Sequence, residues 1–322
     1  MNPRIAVPVA YVVMCGIWGT TWLAIKIGLH AMGPLTGVGL RFLIAGMLLF
    51  AVAAVRKELR PLRELPWKLI VVLALFTFAC DYTLLYVGET HVDSGLASVL
   101  FGTLPFFTFG FARILANERI SGRVFAGSVA AFAGVAMISL SGGRHGSLLF
   151  VLAPIGAAAA AAFATAYAKR YQALSPLTTL PPAMTIAGGG IFVAGLLFER
   201  TDWHQAVSAS SLGALLYLAV AGSCVAFCLM LWLLERLPAG TIGMSSLTFP
   251  VIAIAAGVAF GGEHFGTREF AGSVLVLCGM AIALVPLRRH TLTVVPRAAT
   301  LPTQLYFART RSQSDCAETG SP

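Results

Sequence analysis

The chain is predicted to be an all-α polytopic membrane protein, with ten transmembrane helices arranged as two inverted five-helix repeats. Three observations predict this class. Only 11% of the 322 residues are charged while 58% are hydrophobic, which leaves too little charge to cover a water-soluble surface of this size. The apolar residues fall in runs of about 20, the length that crosses roughly 30 Å of hydrocarbon. The stretch from Ser94 to Ser139 recurs without a gap 145 residues later. Its clearest part sets Arg123-Val124-Phe125-Ala126-Gly127-Ser128-Val129 against Arg268-Glu269-Phe270-Ala271-Gly272-Ser273-Val274, with six of seven residues the same.

Taken in order, residues 1–6 form a cytoplasmic N-terminus. The first five-helix repeat covers 7–140 and holds spans at 7–28, 34–55, 67–87, 94–115 and 122–140. The first span carries Trp18-Gly19-Thr20-Thr21 and Lys26, the second Pro34 and Arg41, and the third Asp81. The fourth carries Gly95, Ser98, Thr103 and Pro105, and the fifth Gly127 and Gly134. Residues 141–147 are a linker. The second repeat covers 148–286, with spans at 148–169, 176–198, 210–234, 240–260 and 269–286. At the 145-residue offset Gly240, Thr248, Pro250, Glu263 and Gly279 answer Gly95, Thr103, Pro105, Glu118 and Gly134. With one gap allowed, Lys169 answers Lys26, and Pro176-Leu177-Thr178 answers Pro34-Leu35-Thr36. Gly, Ser and Thr gather on one side of several spans, as in helices that approach closely or line aqueous cavities. Residues 287–322 are rich in Arg, Thr, Ser and Pro without apolar period, and are expected to be a disordered cytoplasmic tail. The alternating ten-residue segments of a β-barrel are not seen, and the first run is too long, and lacks the cleavage site, for a removable signal peptide.

The net charge of +9 raises a nucleic-acid partner as a question, which the distribution of the charges answers. With the N-terminus in the cytoplasm, 17 basic residues fall on the cytoplasmic side and four (Lys26, Arg144, Arg200 and Arg268) on the other, with Arg41 inside a span. By the positive-inside rule both termini are cytoplasmic, and the charge reports topology rather than nucleic-acid binding. The six cysteines suggest no disulfide framework. Cys224 and Cys228 share a helix face, as small packing residues.

Because five is odd, the second copy enters the bilayer from the opposite side, and the halves are related by a two-fold axis in the membrane plane. Such a pair has two near-equivalent conformations, one open to each face, as alternating access requires. The ordered set of Trp18-Gly19-Thr20-Thr21, Lys26, Pro34, Arg41, Gly95, Pro105, Glu118-Arg119-Ile120-Ser121, Gly127 and Gly134, repeated at Pro250, Glu263, Gly272 and Gly279, resembles the bacterial EamA family of the drug/metabolite transporter superfamily. The likeness covers nearly the whole membrane part. The second copy departs from it at Glu263-His264-Phe265-Gly266, where the basic and hydroxyl residues after the first copy's Glu are missing. The resemblance implies an inner-membrane carrier of small metabolites such as amino acids, often an exporter, with a central cavity between the halves and no cofactor. Uptake of a metabolite or vitamin is the alternative.

Residues the scaffold needs should occur in both halves, whereas a substrate or coupling site can occur once. Asp81 faces Ala226 at the repeat offset and Arg41 faces Ala183. Both are ionisable groups within hydrocarbon, each needing a partner, water or a ligand. They are expected to pair in one conformation and part in the other, with Asp81 able to take a proton; a static ion pair is the competing reading, and Arg41 alone could snorkel. Trp18, Trp22, Tyr82 and Tyr86 come in i, i+4 pairs suited to cavity walls, with Tyr86 assigned instead to the interface. Ser98, Thr103, Ser245, Ser246 and Thr248 flank Pro105 and Pro250, which are expected to kink the fourth and ninth spans and free polar backbone for a ligand. Glu118 and Glu263 are read as helix caps, and Lys26 and Lys169 as scaffold residues reaching headgroups. The six histidines form no metal-ligand spacing, and no phosphate loop or nucleophile cluster is present, which argues against an enzyme or an ATP-driven pump. The expected partners are a small-molecule substrate and the bilayer; a homodimer stays open.

Overall fold

The computed structural model describes residues 3–29, 31–91, 97, 100–139, 148–171, 175–249, 251–252 and 267–284. Among them there is no strand. Apart from single short turns at Leu62–Glu64 and Trp203–Ala206, the helices are α1 (Pro3–Leu29), α2 (Pro34–Val55), α3 (Trp67–Glu89), α4 (Leu104–Leu115), α5 (Gly122–Ser139), α6 (Leu148–Ala168), α7 (Pro176–Phe198), α8 (Ala209–Leu234), α9 (Ala239–Gly243) and α10 (Thr267–Leu284). Six of them, α1, α2, α3, α6, α7 and α8, are long and apolar enough to cross a membrane. The apolar stretches Leu104–Leu115, Gly122–Met137 and Phe270–Ala283 are shorter. α9 is a single turn that tightens into a 3₁₀ segment at Met244–Thr248. Ser98, Pro250 and Glu263 lie outside the described residues, as do 94–96 and 99 of the expected fourth span and 253–260 of the ninth.

The distribution of side chains suits lipid as solvent. Leu148, Leu149, Leu197, Phe198 and Val55 face outward, while fully buried positions include Ala157, Ala158, Ala162, Ala164 and Ala183. Large apolar groups outside and small ones inside is the arrangement of a bundle whose helices associate by close packing.

Two helix pairs join the halves, and both run antiparallel. A methyl group added to Gly39 of α2 would meet the backbone of Phe192 of α7, one on Gly46 would meet Thr185, and one on Gly195 would meet Thr36. As the α2 number rises the α7 number falls. In the same way Gly127 of α5 lies against Gly279 and Ala283 of α10, and Gly134 against Gly272 and Val276. Since α2 corresponds to α7 and α5 to α10 in the repeat, counterpart helices packed antiparallel place the relating axis across the helices. The glycines are duplicated with it: Gly46 corresponds to Gly188, and Gly127 and Gly134 to Gly272 and Gly279.

The ends of the α2–α7 pair are locked reciprocally. Glu199, just past α7, accepts from the amides of Leu35 (2.7 Å) and Thr36 (2.8 Å) and from Thr36 Oγ1 (2.9 Å), capping the first turn of α2. Glu58, beyond the other end of α2, accepts from Ser175 Oγ at 2.7 Å, and Ser175 is the N-cap of α7. Gly33 is required beside this lock, because a side chain there would occupy the space of the Glu199 carboxylate.

α3 and α8 are each interrupted by a π-helical stretch, Leu73–Asp81 and Val220–Val225. At the 145-residue offset the second falls inside the counterpart of the first. A π turn widens the helix and re-aims the residues at its end; Asp81 closes one stretch, and Gly222 and Ser223 sit within the other.

Candidate functional site

A cavity of about 700 Å³, counting its mouth, lies between the halves. α1 supplies Trp18, Thr21, Trp22 and Ile25, and α3 supplies Thr77, Asp81, Tyr82 and Leu85. Phe101 and Leu104 come from the junction into α4, Ala161 and Thr165 from α6, Phe227 and Met230 from α8, and Ile242, Gly243, Ser245, Ser246 and Phe249 from α9 and the segment after it. The lining helices are counterparts under the repeat: α1 with α6, α3 with α8, α4 with α9. The walls are braced edge-to-face, with ring centroids 5.3 Å apart for Trp18 and Phe227 and 6.4 Å for Trp22 and Phe101.

Asp81 is 5% exposed, and its Oδ1 has no hydrogen-bond partner among the described residues. Arg41 is fully buried and does not snorkel. Its Nε donates to Ser223 Oγ at 2.8 Å, one terminal nitrogen to the Gly222 carbonyl at 3.2 Å, and the other to Tyr86 Oη at 3.4 Å. Its guanidinium also lies 4.6 Å from the centre of the Tyr82 ring. Arg41 and Asp81 therefore form no direct ion pair in this conformation, and Tyr82 stands at the boundary between them. Tyr86, expected at the membrane interface, is instead buried and holds Arg41. Gly222 admits the arrangement: a methyl group there would press on Thr21 and Arg41, and its carbonyl also accepts from Trp18 Nε1 at 3.2 Å. Gly222 and Ser223 were not among the sequence candidates, and neither were the cavity residues Thr21, Thr77, Thr165 and Phe227.

The sequence profile of the EamA-like transporter family matches residues 7–140 and again 148–285. The chain belongs to the EamA-like transporter family. It is similar to the uncharacterized inner membrane transporter YedA of Escherichia coli K12, at 28% identity over 88% of this chain and 91% of that protein. It is similar too to a probable amino-acid metabolite efflux pump of the same organism, at 29% identity over 84% and 92%. Protein PagO of Salmonella typhimurium is 25% identical over 88% and 94%. A crystal structure superposes with a TM-score of 0.77 at 19% identity, covering 89% of this chain and all of that one, which establishes the shared fold. Membership makes this a multi-pass membrane transporter rather than an enzyme.

In this EamA-family chain the other sequence candidates are dispersed. Thr103 and Thr248 turn their hydroxyls to the carbonyls of Leu100 and Ser245, at 2.6 and 2.7 Å, and do not line the cavity. Pro105 does not kink a continuous helix. A turn at Gly102 and Thr103 interrupts the α-helix, and Pro105 sits in the first turn of α4, where its missing N–H costs nothing. Lys26 is exposed near the end of α1. Lys169 does not reach for headgroups: its Nζ donates to the carbonyls of Leu234 and, at 2.8 Å, Leu237, at the C-terminal end of α8. Glu118 is a cap, but of α9 rather than the adjoining α5, accepting from the Ala239 amide at 2.9 Å, while Ser121 Oγ accepts from Val124 at the start of α5. The corner between α8 and α9 is thus held by one residue from each half of the chain.

Burial is the largest influence on Glu118 and raises its pKa above the ordinary value, against the opposing pull of Lys169 and the amides of Ala239 and Gly240. The ionised form is therefore disfavoured by folding; this cost sets in as pH rises from the unfolded-state pKa to the folded one and is relieved as pH falls back through that window. Glu118→Gln is expected to lose this gain in stability on acidification while keeping an acceptor. Glu118→Ala strands the Ala239 amide and is expected to cost about 1 kcal/mol at neutral pH. Thermal unfolding of both variants against wild type between neutral pH and the ordinary carboxylate range checks both expectations.

Proposed function

We propose that the chain is a secondary transporter of the bacterial inner membrane, ten spans in two inverted repeats, that exports small metabolites such as amino acids or their derivatives by alternating access. The observation that carries this reading is the cavity walled by counterpart helices of the two halves and lined by a buried carboxylate with an oxygen unpartnered among the described residues. Counterpart helices from both halves build its wall, so exchanging the conformations of the two halves would move the opening from one membrane face to the other. Asp81 is the group that a proton, or a cargo, would neutralise during the cycle, which supplies coupling to protons or to exchange without a nucleotide. The excess of basic residues in one set of loops supports cytoplasmic termini, and the printed name of the efflux pump of Escherichia coli supports the direction and the cargo class.

Counter-flow in proteoliposomes, with a labelled candidate metabolite outside and excess unlabelled metabolite inside, tests the carrier reading; transient accumulation is expected. With Asp81→Asn the dependence of net flux on the proton gradient is expected to disappear. Unchanged flux at every pH would remove Asp81 from coupling.

A further inference from the structure

We propose that the cavity is built for a small amphipathic amine in its cationic form, and that it discriminates against the zwitterionic amino acid differing from it by one carboxylate. This rests on the carrier reading above and narrows its cargo class from amino acids to their cationic derivatives that lack the carboxylate. Four features of the wall point to a cation.

First, Asp81 is the only carboxylate among the described lining residues, and none of them is Lys, Arg or His. Its free Oδ1 is a buried acceptor awaiting a donor. Secondly, six rings line the same space, those of Trp18, Trp22, Tyr82, Phe101, Phe227 and Phe249. A ring face carries negative quadrupole charge, which attracts an ammonium group and repels a carboxylate, and the combined ring area accepts an apolar body.

Thirdly, two hydroxyls on the wall have already committed their hydrogens. Thr21 Oγ1 donates to the Trp18 carbonyl at 2.6 Å and Ser246 Oγ to the Gly243 carbonyl at 3.1 Å. Each retains lone pairs, so it can accept from an ammonium group but has nothing to donate to a carboxylate. The turn before α4 is spent as well: the amides of Thr103, Phe106 and Phe107 are bonded to the carbonyls of Leu100 and Thr103. Fourthly, no guanidinium lines the site. Arg41 does not line the cavity, and three of its five N–H donors are bound to Ser223, Gly222 and Tyr86. A ligand carboxylate would therefore be desolvated with no matching charge.

The test is titration calorimetry on the purified full chain in detergent at neutral pH. Three probes share one ring and differ in charge: tryptamine, tryptophan and indole-3-acetate. Tryptamine is expected to bind at least about tenfold tighter than tryptophan, with indole-3-acetate weaker still. Asp81→Asn is expected to lose at least about tenfold of the tryptamine affinity, and Asp81→Glu to retain part of it. Tryptophan or indole-3-acetate binding as tightly as tryptamine, or no binding of any probe, overturns the proposal; this comparison within wild type stands even if the variants fail to fold. Undiminished binding of tryptamine by a folded Asp81→Asn protein overturns it too. Counter-flow separates the two levels: exchange of tryptophan without tryptamine defeats the cargo class and leaves the carrier, whereas no counter-flow with any amine or amino acid defeats the carrier itself.

Discussion

Gly39→Val is expected to prevent the two halves from assembling. A β-carbon on Gly39 would sit 2.5 Å from the backbone nitrogen and Cα of Phe192, and one on Gly188 would sit 2.6 Å from the Leu43 nitrogen. Backbone cannot yield as a flexible side-chain end can, so relief requires α2 and α7 to separate, and the largest inter-repeat contact goes with them. Overpacking of a tight core by a few carbons costs about 1–3 kcal/mol, and a clash against backbone belongs at the top of that range or above it. Gly39→Val and Gly188→Val should each lower the unfolding temperature and the yield of monodisperse protein sharply. Substitution of Gly28, which has nothing within 4 Å of a built β-carbon, should leave both nearly unchanged. Thermal unfolding with size-exclusion chromatography checks the contrast.

Arg41 gives the second large effect, and its sign depends on what replaces it. Arg41→Ala is expected to cost about 3–5 kcal/mol, because it empties a large buried volume and removes the donor that Ser223, Gly222 and Tyr86 share. Arg41→Met fills much of that volume, and two of the three groups left behind still have partners: Ser223 Oγ donates to the Leu218 carbonyl at 2.9 Å, and the Gly222 carbonyl accepts from Trp18. It should be the mildest of the three. Arg41→Lys keeps a charge in the same dry site but offers neither a planar face to Tyr82 nor a fork that spans the acceptors, so it should be less stable than Arg41→Met. Denaturation of the three variants side by side gives the order; Lys outperforming Met would show that charge, rather than the forked geometry, is what the site requires.

The broad architecture was legible because its cause is repetitive. Length and apolarity mark the six long apolar helices of the described residues, the 145-residue offset marks the duplication that the family profile matches twice, and the five helices expected per copy imply inversion. The antiparallel pairing of α2 with α7 and of α5 with α10 is the physical form of that inference. The site was partly legible. Trp18, Trp22, Asp81, Tyr82, Ser245 and Ser246 do meet at one cavity, because asymmetry between copies and i, i+4 aromatic spacing are visible in the chain. What holds Arg41 was not visible, since its partners are a backbone carbonyl, a serine hydroxyl and a tyrosine presented by π-helical or distant segments that no spacing rule marks. Glu118 and Glu199 were hidden for a related reason. Each caps a helix more than 100 residues away in the sequence, so a search for local capping boxes finds the wrong helix or none.

The most direct test of the inverted-repeat carrier is the accessibility of its cavity from the two faces of the membrane. Ser245→Cys, on the cavity wall, placed in a chain freed of its native cysteines, would be treated with a membrane-impermeant thiol reagent from one side at a time in oriented vesicles. The account predicts labelling from either face, with a cargo or proton gradient raising reactivity on one side as it lowers it on the other. Labelling from a single face under every gradient, or from both faces at once with no reciprocity, would contradict it.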